Sequence, residues 1–253
     1  MTILILGGTA EARQLAAALA ADGVDVVSSL AGRVGTPNLP PGRVRVGGFG
    51  GAGGLADYLR REHASAVVDA THPFAAKITK NVVQAASATG TALVRLERPG
   101  WEEHPHANTW TWVLDAAGAR AAAESACRPF LTTGRQSLRD FAAWADRDVL
   151  VRLVDPPATS LPQRWKVILS RGPYSYDGEH TILTEHAIDV ILTKDSGGTQ
   201  TVAKLDAADH LGIPVVIIAR PEPAPVPILR TVAEAMAWCR SIDDLRFVGA
   251  SIT

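Results

Sequence analysis

The sequence predicts an α/β protein of two Rossmann-like lobes, each built on a parallel sheet, with a cleft between them. Three observations carry that prediction. Short β-branched runs alternate with Ala-rich stretches of helical period along the chain, the pattern of βαβ units. A strand end, a Gly turn and a helix start occur together in ILILGGTAEARQLAAALA, residues 3–20, and again in LTTGRQSLRDFAAW, beginning at Leu131. The 253 residues are also enough for two domains of ordinary size.

In order along the chain, Ile3–Leu6 reads as a buried strand that runs into Gly7 and Gly8, with helix Ala10–Ala21 behind it. Strands Val24–Ser29 and Arg43–Val46 follow, then helix Leu55–Glu62, strand Ala66–Ala70, helix Phe74–Ala88 and strand Ala92–Leu96. These fill a first lobe over residues 1–100. RPGWEEHPHAN breaks the period with Pro, Gly, His and acids, and marks a connection at 97–108. A second lobe is expected over 109–245. Its elements are strand Trp110–Leu114, helix Ala116–Ala126, strand Pro129–Thr132, helix Ser137–Ala145, and strands Val149–Val154 and Val167–Ser170. Helix Glu179–His186, strand Asp189–Leu192, helix Thr201–His210 and strand Pro214–Ile218 come next. RPEPAPVP, residues 220–227, is extended, and helix Thr231–Cys239 closes the fold.

Composition narrows the function classes. With 47% hydrophobic and 20% charged residues the chain supports a sizeable core. A formal net charge of −1 gives no reason to expect nucleic acid or an anionic membrane as partner. Two cysteines, Cys127 and Cys239, suit a reducing compartment. No positively charged region precedes the first apolar run, so that run is expected to be a strand, not a signal peptide, and the protein cytoplasmic. No metal is expected: the cysteines lack zinc spacing, and His104 and His106 sit in the Pro-containing connection. With no exposed apolar helix standing out, a monomer is expected.

Several strand ends could carry chemistry. GGTAEA places Gly7, Gly8, Thr9, Ala10 and Glu11 at a helix N-terminus, where unpaired N–H groups and the helix dipole attract phosphate. The plain alternative is a β–α turn with a Thr cap. The second strand ends in Ser28–Ser29 with Arg33 soon after, and no acid there. Hydroxyls and a guanidinium suit a 2′-phosphate, hence NADP(H) before NAD(H). VGGFGGAGG, residues 46–54, is either a flap over a cofactor or a flexible connection. DATHPFAAK puts Thr71, His72 and Pro73 at a buried strand's end, where a polar group faces a ligand more readily than a core. TKDSGGTQTVAK repeats that logic with Lys194, Ser196, Gly197 and Gly198, and Lys204 on the next helix; Arg135 in TTGR sits at a comparable turn.

Together, GGTAEAR, DATHPFA and TKDSGG…AKLDAA…GIPVVIIARP resemble the precorrin-6A reductase family of cobalamin biosynthesis, which includes the cobalt-precorrin-6A reductases. The resemblance spans nearly the whole chain in the right order, and DATHPFA and the TK-x-SGG segment, which starts at Thr193, are its specific parts. It implies NADPH-dependent reduction of one macrocycle double bond of precorrin-6A to precorrin-6B (dihydro-precorrin-6). By that resemblance Gly7, Gly8, Thr9, Ala10 and Glu11 form the phosphate turn, Ser29 and Arg33 take the 2′-phosphate, and Thr71, His72 and Pro73 line the cofactor. An anionic tetrapyrrole needs local positive charge, and Arg135, Arg171, Lys194 and Lys204, with Ser196, Gly197 and Gly198, are the substrate-side candidates. The proton donor stays open among His72, Lys204, Tyr174 and solvent. The other expected partners are neighbouring pathway enzymes that hand the macrocycle over. The alternative is a non-redox two-lobed tetrapyrrole enzyme resembling uroporphyrinogen-III synthase.

Overall fold

The computed structural model describes residues 1–32 and 39–250, the last eight of them by backbone alone. From the N-terminus the chain forms β1 (Thr2–Leu6), α1 (Ala10–Ala21), β2 (Asp25–Leu30), β3 (Arg43–Val46), α2 (Ala52–Arg61), β4 (Ala64–Asp69), α3 (Ala76–Thr89) and β5 (Ala92–Leu96). It continues with β6 (Thr111–Val113), α4 (Ala116–Ala122), β7 (Pro129–Thr132), β8 (Leu150–Leu153), β9 (Lys166–Leu169) and α5 (Tyr176–Glu185). Then come β10 (Val190–Lys194), α6 (Ala203–His210), β11 (Val215–Ile218), β12 (Ile228–Leu229) and α7 (Val232–Ala250). Among the described residues no helix is long and apolar enough to cross a membrane.

Two compact units result, Met1–Arg98 with Glu222–Thr253, and Pro99–Pro221. Each holds a six-stranded, all-parallel sheet. The first has the order β12-β5-β4-β1-β2-β3 and the second β6-β11-β10-β7-β8-β9. Read from β3, the first sheet is the doubly wound order 3-2-1-4-5-6, with β12 in the sixth place. Read from β9, the second has the same order, and β6 fills its sixth place although it comes first in the chain. The echo between the two halves of the sequence is thus a topological one, with β1 and β4 matching β7 and β10.

Here the structure departs from the expected boundaries. The second lobe does not run to residue 245: from Glu222 onward the chain belongs to the first unit. The cause is local. Behind the proline stretch the chain is extended, and Ile228 and Leu229 pair with Arg95 and Leu96 of β5. Helix α7 then buries Ala235, Met236 and Cys239 in a core shared with Leu15, Leu19 and Val94. Residues 97–108 are no free connection either, because Trp101 and Ala107 are buried in the second unit's core with Phe130, Leu205 and Ile217. The expected helix 137–145 is a run of 3-10 turns over Arg135–Trp144. Its first turn closes with Ser137 N–H donating to Gly134 O at 3.3 Å, and the Ser137 hydroxyl lies within hydrogen-bond reach of the Thr133 and Gly134 oxygens, a local contact that competes with regular helical pairing.

Candidate functional site

In a doubly wound sheet, ligands bind outside the carboxyl ends of the strands, where the strand order reverses. In the first unit that point lies between β1 and β4. Leu6 pairs with Asp69 there, so the Gly7–Glu11 turn and the Asp69–Pro73 loop leave the sheet side by side. The turn is tied down by Gly7 N–H donating to Ser29 O at 2.9 Å. Gly8 has φ +123°, and a Cβ added there would meet nothing within 4 Å. The backbone at the start of α1 is therefore open to a ligand, and only glycine adopts that conformation without strain. Thr9 ties the turn to its neighbour. Its buried hydroxyl accepts from Ala12 N–H as the helix cap and donates to Ala70 O at 2.8 Å, which bolts the two loops together. Ala10 opens the helix, and Glu11 is paired with Arg98 at 2.8 Å, which offsets its charge beside a turn suited to anions.

Asp69 organises the second loop from a fully buried position. It accepts from Thr71 N–H and Thr71 Oγ1 (2.7 Å), from Thr79 Oγ1 (2.7 Å) and from Arg95 Nη1 (2.6 Å), while Arg95 Nε donates to Glu97 at 2.6 Å. The hydroxyl of Thr71 thus serves the loop itself. His72 is half-buried, and its Nδ1 accepts from Phe74 N–H at 3.3 Å, which leaves the proton of the neutral ring on Nε2. Pro73 is buried beside it.

Ser29, one residue before the end of β2, is buried opposite Arg45 of β3. Arg33 lies outside the described residues. Arg45, which sequence reading did not single out, packs against Ser29. Its Nη1 donates to Ser29 Oγ at 3.3 Å and to Gly47 O at 2.6 Å, its Nη2 donates to Gly48 O at 2.6 Å, and its plane lies 3.7 Å from the Phe49 ring centre. The glycine-rich stretch folds around that guanidinium.

The second unit repeats the arrangement between β7 and β10, where Thr132 pairs with Thr193. Arg135 follows β7 and is exposed, with Nη1 donating to Pro156 O at 3.3 Å. Lys194 ends β10, and burial pulls its amine below the usual lysine value. Asp195 behind it is fully buried, beside Arg220 at 3.0 Å and the Trp101 N–H at 3.1 Å. Burial outweighs Arg220 and pushes its carboxyl up to about 6. Ser196 shares a hydrogen bond with Thr201 at 3.0 Å, and Gly197 has φ +63°, with a Cβ there colliding with Arg220 and Pro99 O. Gly198 O accepts from Trp101 Nε1 at 3.1 Å. Arg171 lies beyond β9, at the sheet's edge, and Tyr174 Oη donates to Ser170 O at 3.1 Å.

Lys204 is placed otherwise than expected. Instead of facing outward toward an anion, it is 3% exposed, donating to Thr201 O at 2.7 Å and lying 4.7 Å from the Trp101 ring centre. Its amine is pushed down to about 7 by burial, against the pull of Glu179. Nearby Glu179 and Arg152 form a buried ion pair at 2.7 Å.

Two doubly wound units with open Gly turns fit many nucleotide enzymes, and likeness to known proteins decides among them. The family model of precorrin-6x reductase CbiJ/CobK matches residues 2–240. The chain belongs to that family. A precorrin-6A reductase of Rhodococcus erythropolis is 51% identical over 93% of this chain and 96% of its own length. A cobalt-precorrin-6A reductase of Priestia megaterium is 28% identical over 87% and 91%. A solved structure of CobK precorrin-6A reductase matches with a TM-score of 0.90 at 43% identity, covering 96% of this chain and 97% of that one. Membership of a reductase family removes the basis for the non-redox alternative.

Proposed function

We propose that this chain reduces one double bond of precorrin-6A to give precorrin-6B (dihydro-precorrin-6), with NADPH as reductant, in corrin-ring biosynthesis. The 51% identity to a precorrin-6A reductase over nearly the full length of both chains carries the reading. The weaker match to the cobalt-precorrin enzyme favours the cobalt-free macrocycle. Bound NADPH supplies the hydride, and a proton at the neighbouring carbon completes the addition.

The chain's own residues have separable tasks. Gly7, Gly8 and the first N–H groups of α1 receive the pyrophosphate; the openness at Gly8 fits such a group. Ser29 and Arg33 serve the adenosine ribose end, and Thr71, His72 and Pro73 shape the wall beside the pyrophosphate. In the second unit Arg135, Lys194 and Arg171 meet macrocycle carboxylates, while Ser196, Gly197 and Gly198 present backbone. Lys204 supports that loop from behind. His72, whose Nε2 carries the ring proton, and Tyr174 are the side chains able to deliver the proton.

The test is a calorimetric titration with NADPH and NADH, followed by NADPH consumption with precorrin-6A. Tight NADPH, feeble NADH and one NADPH oxidised per macrocycle are expected. If neither dinucleotide binds, or precorrin-6A leaves NADPH untouched, the reading is wrong.

A further inference from the structure

Among the described residues no carboxylate answers the charge of Arg45, although the side chain is half-buried. Arg43, two places earlier in the same strand, is paired with Asp25 at 2.8 Å and Glu62 at 3.0 Å. Desolvating a guanidinium without a counter-charge is unfavourable, so the arrangement makes sense where an anion completes it. The protein also holds the group still. The carbonyls of Gly47 and Gly48 fix one edge, Phe49 covers a face at 3.7 Å and Tyr58 lies 5.4 Å away. Gly47 at φ +115° allows the turn that aims its carbonyl inward. Among the described residues the Nε–H has no acceptor, so part of the donor fork is left to a ligand.

The location says which anion. In a doubly wound fold the group at the end of the second strand, about twenty residues past the Gly turn, meets the 2′ position of the adenosine ribose. Ser29 holds that place and Arg45 touches it. Ser29 Oγ accepts from Arg45, so its own proton remains to be donated. We infer that Arg45 is a specificity-determining residue that binds the 2′-phosphate of NADPH, with Ser29 as the second donor. This rests on the first unit being the NADPH site.

Arg45→Ala and Arg45→Lys, titrated calorimetrically with NADPH, NADH, adenosine 2′,5′-bisphosphate and 5′-AMP, decide it. Arg45→Ala is expected to weaken NADPH and the bisphosphate about ten- to hundredfold, the size of one charge-assisted bidentate contact, and to leave NADH and 5′-AMP unchanged. Arg45→Lys, which keeps the charge and loses the fork, recovers part of that loss. Equal weakening of both dinucleotides, or unaltered NADPH binding, overturns the assignment. If Arg45→Ala does not fold, Arg45→Lys decides: an unaltered ratio of NADPH to NADH affinity overturns it as well. Wild-type protein that binds neither dinucleotide sinks the reading of the whole unit. Wild-type preference for NADPH that survives in Arg45→Ala sinks this inference alone and passes the role to Arg33.

Discussion

Arg43 and Arg95 stand on strands of one sheet and each pairs with two carboxylates, yet their energetic weight differs. Arg43 is half-exposed, and pairs of that kind contribute about 0–1 kcal/mol. Arg95 and Asp69 are almost fully buried, and removing one partner strands the other without solvent. Arg95→Met is therefore expected to destabilise by about 3–5 kcal/mol, and Arg43→Met by about 1 kcal/mol or less. Urea unfolding of both variants checks this; similar losses would show that the Asp69 network is not what holds the DATHP loop. Lys204 gives a pH signature. Its amine is held at about 7 when folded against an ordinary value of 10.5. Between these values the unfolded chain binds a proton that the folded chain does not, so the residue's contribution improves as pH rises. Lys204→Met is expected to gain most over wild type near neutral pH and to lose that advantage by about pH 10. Denaturant titrations across that range would expose the error if the difference stayed constant.

Elements were legible where one local signal dominates. Gly7, Gly8 and Thr9 mark the end of β1 and the cap of α1, and the register with β2 and β4 then brings Ser29 and Asp69 to the same edge. What stayed hidden depends on partners distant in sequence or on competition within a turn. The apparent α-helix after Gly134 is a run of 3-10 turns in which the Ser137 hydroxyl bonds back to the preceding turn, a local contact that periodicity does not register. Lys204 reads as a cation facing an anionic ligand until Trp101 is known to cover it. The neighbourhood of Arg45 and Ser29 appears only once β3 is laid against β2, because in sequence Arg45 is one of several arginines near a glycine-rich loop. Thr9 and Thr71 stand out in sequence as polar residues at strand ends, but that the hydroxyl of Thr9 reaches Ala70 O and that of Thr71 reaches Asp69 shows only in the fold.

At the scale of the molecule, the sixth strand of each sheet comes from the wrong side of the chain for a simple two-domain reading, and this has a mechanical consequence. The second unit, residues 99–221, is continuous and contains all six of its strands. The first unit is not continuous, since β12 and α7 arrive only after residue 222. Without them Leu15, Leu19 and Val94 lose the cover of Ala235, Met236 and Cys239, with Val232 and Trp238 packed alongside. At about 1.5–3 kcal/mol per large buried side chain, that cover is worth several kcal/mol. Whole-domain stability is about 5–15 kcal/mol, so the loss is decisive. Residues 99–221 are therefore expected to unfold cooperatively as an isolated fragment, and residues 1–98 to show no cooperative transition. Joining 1–98 to 222–253 should restore one, provided the linker is long enough for the crossover between parallel strands β5 and β12, roughly a dozen residues. Circular dichroism during urea titration distinguishes the three fragments. Cooperative unfolding of 1–98 alone would mean that the strand exchange decorates a self-sufficient domain; its absence, with rescue by 222–253, makes the returning segment part of the first unit's fold itself.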